Sequence, residues 1–251
     1  MLNILISGAC GAMGKNVYLS ASQHEDIKVT AGVDKFPQKL SFPVYENFES
    51  VTEPVDVVID FSNVSSLDGM LAFALKRNIP VVIATTGYNE KQLAAINDAA
   101  KKIPVFKTAN FSVGVNVLCA LVKKAAEFLG EDYDIEIIEK HHHNKLDAPS
   151  GTALMLADTA NSVFDDKLNY EYDRHSKRAK RTKSEIGIHS IRGGSIVGEH
   201  DVLFAGENEV VTLSHNAESR AVFAGGSIRA ARFIVGKAPG MYDMTDVLNL
   251  K

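Results

Sequence analysis

The residues best suited to catalysis lie in one polar string, HHHNKLDAPSGT, which runs from His141 to Thr152. Histidine transfers protons near neutral pH, and a neighbouring lysine, here Lys145, supplies a cation and a proton. Ser150 has the side chain of a helix N-cap, so Gly151 and Thr152 would present backbone N–H groups and a hydroxyl to an anion. The string therefore predicts a site where a small dicarboxylate binds at a helix N-terminus beside proton-donating groups.

Two other interpretations of this string are weaker. In an extended strand the side chains of consecutive histidines alternate between faces, so at most His141 and His143 point the same way. No Cys, Asp or Glu at ligand-like spacing completes a metal site around them, and we expect no bound metal. A solvated polar loop is the second interpretation, and three histidines and a lysine ahead of DAPSGT disfavour it.

A glycine-rich turn at the start of the chain predicts dinucleotide binding. The apolar run Leu2–Ser7 leads into GACGAMGK, in which Gly8, Gly11 and Gly14 form a G-x-x-G-x-x-G frame. Glycines permit the tight turn and let the backbone approach a pyrophosphate at the helix N-terminus. A purely structural strand–helix turn would also use glycine, but Asp34 follows 20 residues after Gly14, at the end of the next strand, as in dinucleotide-binding proteins.

The choice between NADH and NADPH stays open at this point. Asp34 can accept hydrogen bonds from the adenosine ribose, which favours NADH and repels a 2′-phosphate. The adjacent Lys35 can pair with that phosphate, which would permit NADPH.

The elements that position these motifs change character near Phe111. Before it, short apolar runs alternate with helical patterns, which predicts a parallel sheet covered on both faces, with an irregular crossover over Asp34–Glu53. After it, strands cluster, which predicts an α+β domain, and a last helix at Ser219–Val235 without a nearby strand could return to the first domain. We therefore expect a Rossmann-like dinucleotide-binding domain over residues 1–111 and 221–251, and a substrate-binding domain over 112–220. The predicted strands are Leu2–Ser7, Lys28–Asp34, Val55–Phe61, Pro80–Thr85, Val105–Lys107, Asp134–Lys140, Glu185–Ile191, Glu199–Ala205 and Val210–Ser214, and the other predicted helices are Gly14–Gln23, Ser65–Asn78, Asn89–Lys102, Val115–Leu129 and Ala153–Phe164.

Composition excludes several classes of partner. The 251 residues are 45% hydrophobic and 23% charged, with a net charge of -4, so nothing attracts the whole chain to nucleic acid or an anionic membrane. The basic run Arg174–Lys183 is read as a solvated loop or as a loop that attracts an anionic ligand, and a nucleic-acid site is disfavoured. Cys10 and Cys119 lie far apart without a CxxC motif, and no apolar run spans a bilayer, so we expect a cytoplasmic protein.

Several ordered segments resemble the dihydrodipicolinate reductase family (4-hydroxy-tetrahydrodipicolinate reductases) from end to end. The string EKHHHNKLDAPSGTA is similar to the family signature E-x-H-H-x-x-K-x-D-A-P-S-G-T-A. The segments that carry the rest of the resemblance are GACGAMGK, ATTGY, TANFSVGVN, IRGGSIVGEHDVLF and SRAVFAGGSIRAA. Two departures are Ala12, where some NADPH-using members have arginine, and a segment Asp34–Glu53 that is shorter than in longer members.

The resemblance implies NAD(P)H-dependent reduction of 4-hydroxy-tetrahydrodipicolinate to tetrahydrodipicolinate, on the route to diaminopimelate and lysine, by a homotetramer. It implies that His141 is the catalytic acid/base, Lys145 the proton donor, and His142, Gly151 and Thr152 the substrate ligands. The implied cofactor-binding residues are Gly8, Ala9, Cys10, Gly11, Ala12, Met13, Asp34, Ala84, Thr85, Thr86, Thr108, Ala109, Asn110 and Phe111, and the charge argument above adds Lys35.

Two alternatives to this function remain. The first is another two-domain NAD(P) oxidoreductase that acts on a small aspartate-derived substrate such as a semialdehyde. The second is a redox-sensing regulator, which would need a DNA-reading helix–turn–helix that the sequence does not show.

Overall fold

The structure, a computed structural model, describes residues 1–249 and contains two compact units. The first unit consists of Met1–Ser112 and the described part of Arg220–Lys251, and the second unit is Val113–Ser219. Leu250 and Lys251, at the end of the expected first domain, lie outside the described residues.

The elements are numbered in chain order. The strands are β1 (Leu2–Ser7), β2 (Ile27–Val33), β3 (Val44–Tyr45), β4 (Val57–Asp60), β5 (Val81–Ile83), β6 (Pro104–Lys107), β7 (Asp134–His141), β8 (Asn169–Glu171), β9 (Glu185–Arg192), β10 (Gly198–Ala205), β11 (Val210–Ala217) and β12 (Gly240–Tyr242). The helices are α1 (Ala12–Ala21), α2 (Leu67–Arg77), α3 (Glu90–Ala100), α4 (Val113–Leu129), α5 (Gly151–Asn161), α6 (Ala221–Ile234) and α7 (Met244–Leu248), with 3-10 turns at Phe48–Ser50, Val64–Ser66, Gly130–Asp132 and Ser162–Phe164.

The first unit is built on a parallel sheet of seven strands in the order β12-β6-β5-β4-β1-β2-β3. Its central strands are short and almost entirely buried, as expected when helices cover both faces of a parallel sheet. Leu5, Val58 and Val81 pack against α2 and α3, so alternation directs Ile4 and Ile59 to the opposite face. The chain proceeds outward in both directions from β1, and in such sheets ligands bind at the carboxyl ends of the strands beside this switch point.

The C-terminal segment belongs to the first unit. Helix α6 packs along α1 and contacts β4, β5 and β6, and β12 extends the sheet beside β6. The approach is close because Gly226 faces the backbone oxygen of Phe111, where an added Cβ would lie only 1.7 Å away.

The second unit has a mixed sheet of five strands in the order β11-β10-β7-β9-β8. Strand β7 runs antiparallel to β10 and parallel to β9. Helices α4 and α5 pack on one face, where Ile137, Val202 and Phe204 are fully buried. Since side chains alternate along a strand, the core-facing residues of β7 include Glu139 and His141.

These two sheets confirm the predicted fold class, a Rossmann-like unit with an α+β unit. The short elements β3, β8, β12 and α7 have too few residues for a periodic pattern, and the sequence analysis did not predict them. The polar string was expected to begin just past a strand, but His141 is the last residue of β7, because it pairs with Arg192 of β9. Among residues 1–249, no helix has the length and apolar character needed to cross a membrane.

Candidate active site

The glycine loop joins β1 to α1 in a conformation that side chains would block. Gly8 has φ +80°, and a Cβ there would lie 2.6 Å from the backbone oxygen of Phe61. A Cβ on Gly14 would lie 2.1 Å from the oxygen of Gly8. Gly11 occupies the N-cap of α1 without a side chain to cap it, so the first N–H groups of the helix are available to a phosphate.

Asp34 ties this loop to the end of β2. One carboxylate oxygen accepts the Cys10 N–H at 2.9 Å, and the other accepts the Phe36 N–H at 3.0 Å. Both oxygens retain a further lone pair for a ligand hydroxyl. Gly8, Gly11, Asp34 and Lys35 line a cavity of ≈ 760 Å³.

Other residues that line this cavity were not indicated by the sequence motifs. They follow β2, β3 and β4, whose carboxyl ends lie at one edge of the sheet, and that edge is the signal that would have indicated them. They include Phe36, Glu46, Asn47, Phe61, Ser62 and Asn63. The cavity and the uncapped α1 N-terminus fit the adenosine and pyrophosphate of a dinucleotide.

Polar side chains are buried at the same edge of the sheet. The hydroxyls of Ser7, at the end of β1, and Thr85, after β5, are buried without a hydrogen-bond partner. Asp60, at the end of β4, is 1% exposed and accepts the Ser62 hydroxyl at 2.5 Å and the Tyr88 hydroxyl at 3.4 Å. Burial, followed by the Asp60 charge, raises the pKa of Tyr88, which therefore remains a neutral donor.

The other expected cofactor residues lie after β5 and β6. Ala84 donates its N–H to the oxygen of Asp60, and Thr86 is exposed. Thr108 donates its hydroxyl to the backbone oxygen of Asn110, and the ring of Phe111 is buried beside aromatic rings of the core. The structure thus places all these segments at the carboxyl edge of the first unit's sheet.

In the second unit, β7 directs Glu139 and His141 to the buried face of the sheet. Glu139 is fully buried, and its Oε2 lies 2.6 Å from Nδ1 of His141. Arg192 donates to both carboxylate oxygens, at 2.8 and 2.7 Å, and Ser150 donates its backbone N–H to Oε1 at 3.2 Å. One buried carboxylate therefore accepts hydrogen bonds from two arginine nitrogens, a histidine and a helix N-cap.

These contacts determine the charges at the site. Burial alone would raise the pKa of Glu139, but hydrogen bonds from Arg192, Ser190 and His141 outweigh it and lower that pKa to about 2. Burial lowers the pKa of His141, although Glu139 opposes the shift. At neutral pH the site thus holds an ionised Glu139 beside a neutral His141.

The predicted N-cap of α5 is confirmed. The Ser150 hydroxyl accepts the Ala153 N–H at 3.1 Å and lies 2.8 Å from Nε2 of His200. Burial, with the nearby His141 next, lowers the pKa of His200 to about 4, so this ring is neutral at pH 7. The backbone of Gly151 and Thr152 forms the first turn of α5, as an anion site requires.

Lys145 and His142 lie in the loop between β7 and α5. Nζ of Lys145 is 2.8 Å from an Asp147 carboxylate oxygen, and the lysine side chain is 20% exposed. The hydrogen bond from Lys145 lowers the pKa of Asp147. Nδ1 of His142 is buried without a hydrogen-bond partner, as expected of a group that binds a ligand.

His141, Lys145 and the α5 N-terminus thus all lie in the segment of the second unit that connects β7 to α5. No sequence pattern gave a functional role to Glu139, Arg192 or His200. Glu139 had a visible signal, since it stands two residues before His141 on a strand and must share its face. Arg192 and His200 are 53 and 50 residues from their partners, and no local pattern relates them.

Most cations of the basic run Arg174–Lys183 form ion pairs within the second unit. Arg181 pairs with Asp134 and Glu136, each at 2.9 Å, and Arg174 and Lys177 pair with glutamates of the same unit. Over residues 1–249, no group of three or more His, Cys, Asp or Glu side chains is arranged to hold a metal ion.

The chain is similar in sequence to known proteins over its whole length. The family model described as dihydrodipicolinate reductase, N-terminus, matches residues 2–111, and the model described as dihydrodipicolinate reductase, C-terminus, matches residues 114–248. The 4-hydroxy-tetrahydrodipicolinate reductase of Caldanaerobacter subterraneus is 52% identical over 99% of this chain and 98% of the relative. That of Clostridium tetani is 48% identical over 99% and 98%.

A solved structure is similar over the same range. Dipicolinate-bound dihydrodipicolinate reductase from Paenisporosarcina sp. TG-14 superposes with a TM-score of 0.80 at 27% identity, covering 98% of both chains.

Proposed function

The chain belongs to the dihydrodipicolinate reductase family, and from this premise we propose that it reduces 4-hydroxy-tetrahydrodipicolinate to tetrahydrodipicolinate with NADH or NADPH. In this reaction the substrate gains a hydride and a proton and loses water, on the route to diaminopimelate and lysine. The observation that carries the proposal is the segment His141–Thr152, which joins an acid/base group, a lysine and a helix N-terminus. A cytoplasmic location belongs to the proposal, because biosynthetic reductions draw on the cell's pool of reduced nicotinamide.

The two units have separate tasks in this proposal. The first unit binds the dinucleotide through the glycine loop, Asp34, Lys35 and the segments after β5 and β6. The dinucleotide, when bound, supplies the hydride. The second unit binds the substrate, and a dicarboxylate is supported by the dipicolinate bound to the Paenisporosarcina relative.

The side chains of the second unit would hold and protonate the substrate. A ring carboxylate would accept the N–H groups of Gly151 and Thr152 at the α5 N-terminus, where the helix dipole also favours negative charge. His142, with its unpartnered buried nitrogen, would contact the substrate. Lys145 would donate the proton to the reduced ring, and His141 would serve as acid/base through Nε2, because its Nδ1 faces Glu139.

We also propose that the chain assembles as a homotetramer through the sheet face of the second unit that α4 and α5 do not cover. That face carries Ile138 and Leu203 next to the exposed side chains of Ile191 and Val210. Sedimentation or mass photometry at micromolar concentration should give about four times the 27.2 kDa chain mass. A monomer under these conditions would contradict the proposal.

The decisive experiment is an assay in which freshly generated 4-hydroxy-tetrahydrodipicolinate is supplied and nicotinamide absorbance is followed. Oxidation of both NADH and NADPH that depends on substrate is expected, with NADH used at least as well, because Asp34 is present and the glycine loop has no arginine. A parallel reaction with aspartate semialdehyde tests the alternative oxidoreductase. Activity there and none with the cyclic substrate would overturn the proposal.

A further inference from the structure

The contacts of Glu139 extend beyond those that a structural ion pair needs. A fully buried carboxylate loses several kcal/mol of hydration, and only good geometry and further hydrogen bonds compensate for that loss. Arg192 provides the paired charge through two hydrogen bonds. Besides Ser190 of β9, two further donors to Glu139 belong to parts of the active site, His141 and the N-cap of α5.

The contact with His141 selects one tautomer of the ring. Glu139 has a pKa near 2, so it is ionised at any pH at which the enzyme works and can only accept hydrogen bonds. Nδ1 of His141 must therefore carry a proton, which leaves the lone pair on Nε2 when the ring is neutral. Other charged or titratable groups that face the ring are Arg192 from β9, His200 from β10 and Lys145 from the following loop.

The contact with Ser150 fixes the proposed carboxylate site. Its backbone N–H is held by Glu139, and its hydroxyl caps α5 and meets His200. Arg192 reaches the same loop, because it also donates to the backbone oxygen of Asp147 at 2.7 Å. The carboxylate is thus bonded both to the acid/base group and to the first turn of the helix that would hold the substrate.

We infer that Glu139, clamped by Arg192, is a positioning residue of the reductase reaction, which holds His141 as the Nδ1–H tautomer and fixes the N-terminus of α5. The role in a reductase reaction rests on the proposed function. The tautomer of His141 does not, because it is a property of the protein without substrate. Neither Glu139 nor Arg192 needs to touch the substrate in this role.

The first test is spectroscopic. Long-range ¹H–¹⁵N correlation spectra of histidine-labelled full-length protein, assigned with His141→Gln, should show His141 protonated at Nδ1 and unprotonated at Nε2 near pH 7.5. Glu139→Gln presents an amide that can donate to Nδ1, so a substantial population of the Nε2–H tautomer is expected. Protonation at Nε2 in the unaltered protein would overturn the inference, whichever substrate the enzyme proves to use.

The second test is kinetic and uses a matched control. Replacing the carboxylate that orients a catalytic histidine by an amide can lower kcat roughly 10⁴-fold, and we expect at least about 100-fold for Glu139→Gln. The acidic limb of the pH profile assigned to His141 should move to lower pH by about one unit. The reason is that the variant lacks the negative charge of Glu139, which stabilises the protonated His141 ring. Glu139→Asp, which keeps the charge, should leave that limb in place and recover part of kcat.

The control is Glu136→Gln on the same strand. Glu136 also contacts a histidine and an arginine, at 2.8 Å from His189 and 2.9 Å from Arg181, but it lies on the other face of the sheet. Because Glu136 shares the face proposed for assembly, the oligomeric state of the variant is measured first, and the variant with unaltered assembly should retain kcat and its pH profile. A kcat and an acidic limb unchanged in Glu139→Gln would overturn the positioning role.

If Glu139→Gln does not fold, the kinetic test uses Arg192→Lys. This variant keeps the positive charge beside Glu139 and loses the double hydrogen bond to its carboxylate. In that variant KM should rise and kcat should fall by about tenfold. Unchanged values would contradict a positioning role for the hydrogen bonds between Arg192 and Glu139. Absence of any wild-type turnover with 4-hydroxy-tetrahydrodipicolinate would instead contradict the proposed function and leave the tautomer result valid.

Discussion

The two units build their proposed ligand sites from different parts of the polypeptide. In the first unit the backbone predominates, since Gly8, Gly11 and Gly14 make room for a ligand and α1 offers free N–H groups. In the second unit, buried side chains predominate, with Glu139 and Arg192 at the centre of the network. The first kind of site should be sensitive to added atoms, and the second kind to changes of charge and pH.

The largest expected effect comes from removing a charged side chain in the second unit. Lys145→Ala should lower kcat by about 100- to 10,000-fold, because the proposed proton donor is lost. Dinucleotide affinity, measured by fluorescence titration, should remain within about twofold, since the proposed cofactor contacts belong to the first unit. The control is Lys180→Ala in the basic run, which should be silent, and near-normal turnover of Lys145→Ala at saturating substrate would refute the assignment.

A single added methyl group provides the corresponding test for the first unit. Gly14→Ala places a Cβ 2.1 Å from the oxygen of Gly8 and 2.8 Å from Cα of Ala9, so the backbone of the loop must move. The dissociation constant for NADH should rise by about 10- to 100-fold, and the substituted chain should be less stable by about 1–3 kcal/mol. Gly225→Ala in α6 meets nothing within 4 Å, so it should leave the NADH affinity unchanged and, as an alanine in a helix interior, stabilise the chain by up to about 1 kcal/mol. Similar affinities for the two variants would show that the close approach at Gly14 does not shape the site.

The same difference explains what the sequence could predict. The strand, glycine turn and helix that form the first site are consecutive, so Gly8, Gly11 and Asp34 were identifiable from spacing alone. The polar string was identifiable for the same reason, together with the Ser150 cap. Arg192 could not be assigned, because its pairing with Glu139 depends on β9 lying beside β7 in the folded sheet.

Residues that arrive from neighbouring strands escaped prediction in the first unit as well. Phe36 and Ser62 line the cavity only because β2, β1 and β4 are adjacent in the sheet. Ser7 is an apparent strand residue in the sequence, and its partnerless hydroxyl becomes informative only when burial is known. Local pattern therefore predicts backbone sites better than it predicts side-chain networks.

Cofactor preference gives a smaller and more selective effect. Lys35 lines the cavity beside Asp34, so Lys35→Ala should weaken NADPH binding by about tenfold, or about 1.4 kcal/mol, and NADH binding much less. Isothermal titration with both cofactors measures the difference. Equal losses would show that Lys35 does not contact the 2′-phosphate.

The residues proposed to hold the substrate in the second unit should affect KM more than kcat. His142→Ala and Thr152→Ala are each expected to raise KM for the cyclic substrate by about five- to tenfold, because they remove contacts present before and during the reaction. Steady-state kinetics at saturating NADH separates the two constants. A fall in kcat without a change in KM would place these residues in the chemical step instead.

The last expected effect is on stability rather than on binding or turnover and concerns His200, whose burial makes the stability of the second unit depend on pH. Its pKa is lowered from 6.5 to about 4, so the unfolded chain takes up a proton below pH 6.5 while the folded ring stays neutral. The free energy of unfolding must therefore decrease as the pH falls from 6.5 toward 4. His200→Gln keeps a polar group near the Ser150 hydroxyl but cannot titrate, so the loss of stability between pH 7 and pH 5 should be smaller by about 1–2 kcal/mol.

Urea unfolding at pH 7 and pH 5 measures this difference. Glu139 does not interfere, because its lowered pKa confers stability that is lost only when the pH falls below about 4.5 toward 2. His141 and His215 also have pKa values lowered by burial, so the variant should retain part of the dependence. An identical loss of stability in both proteins would mean that His200 becomes protonated in the folded state above pH 5, and that the network around Ser150 accommodates a cation that the observed burial opposes.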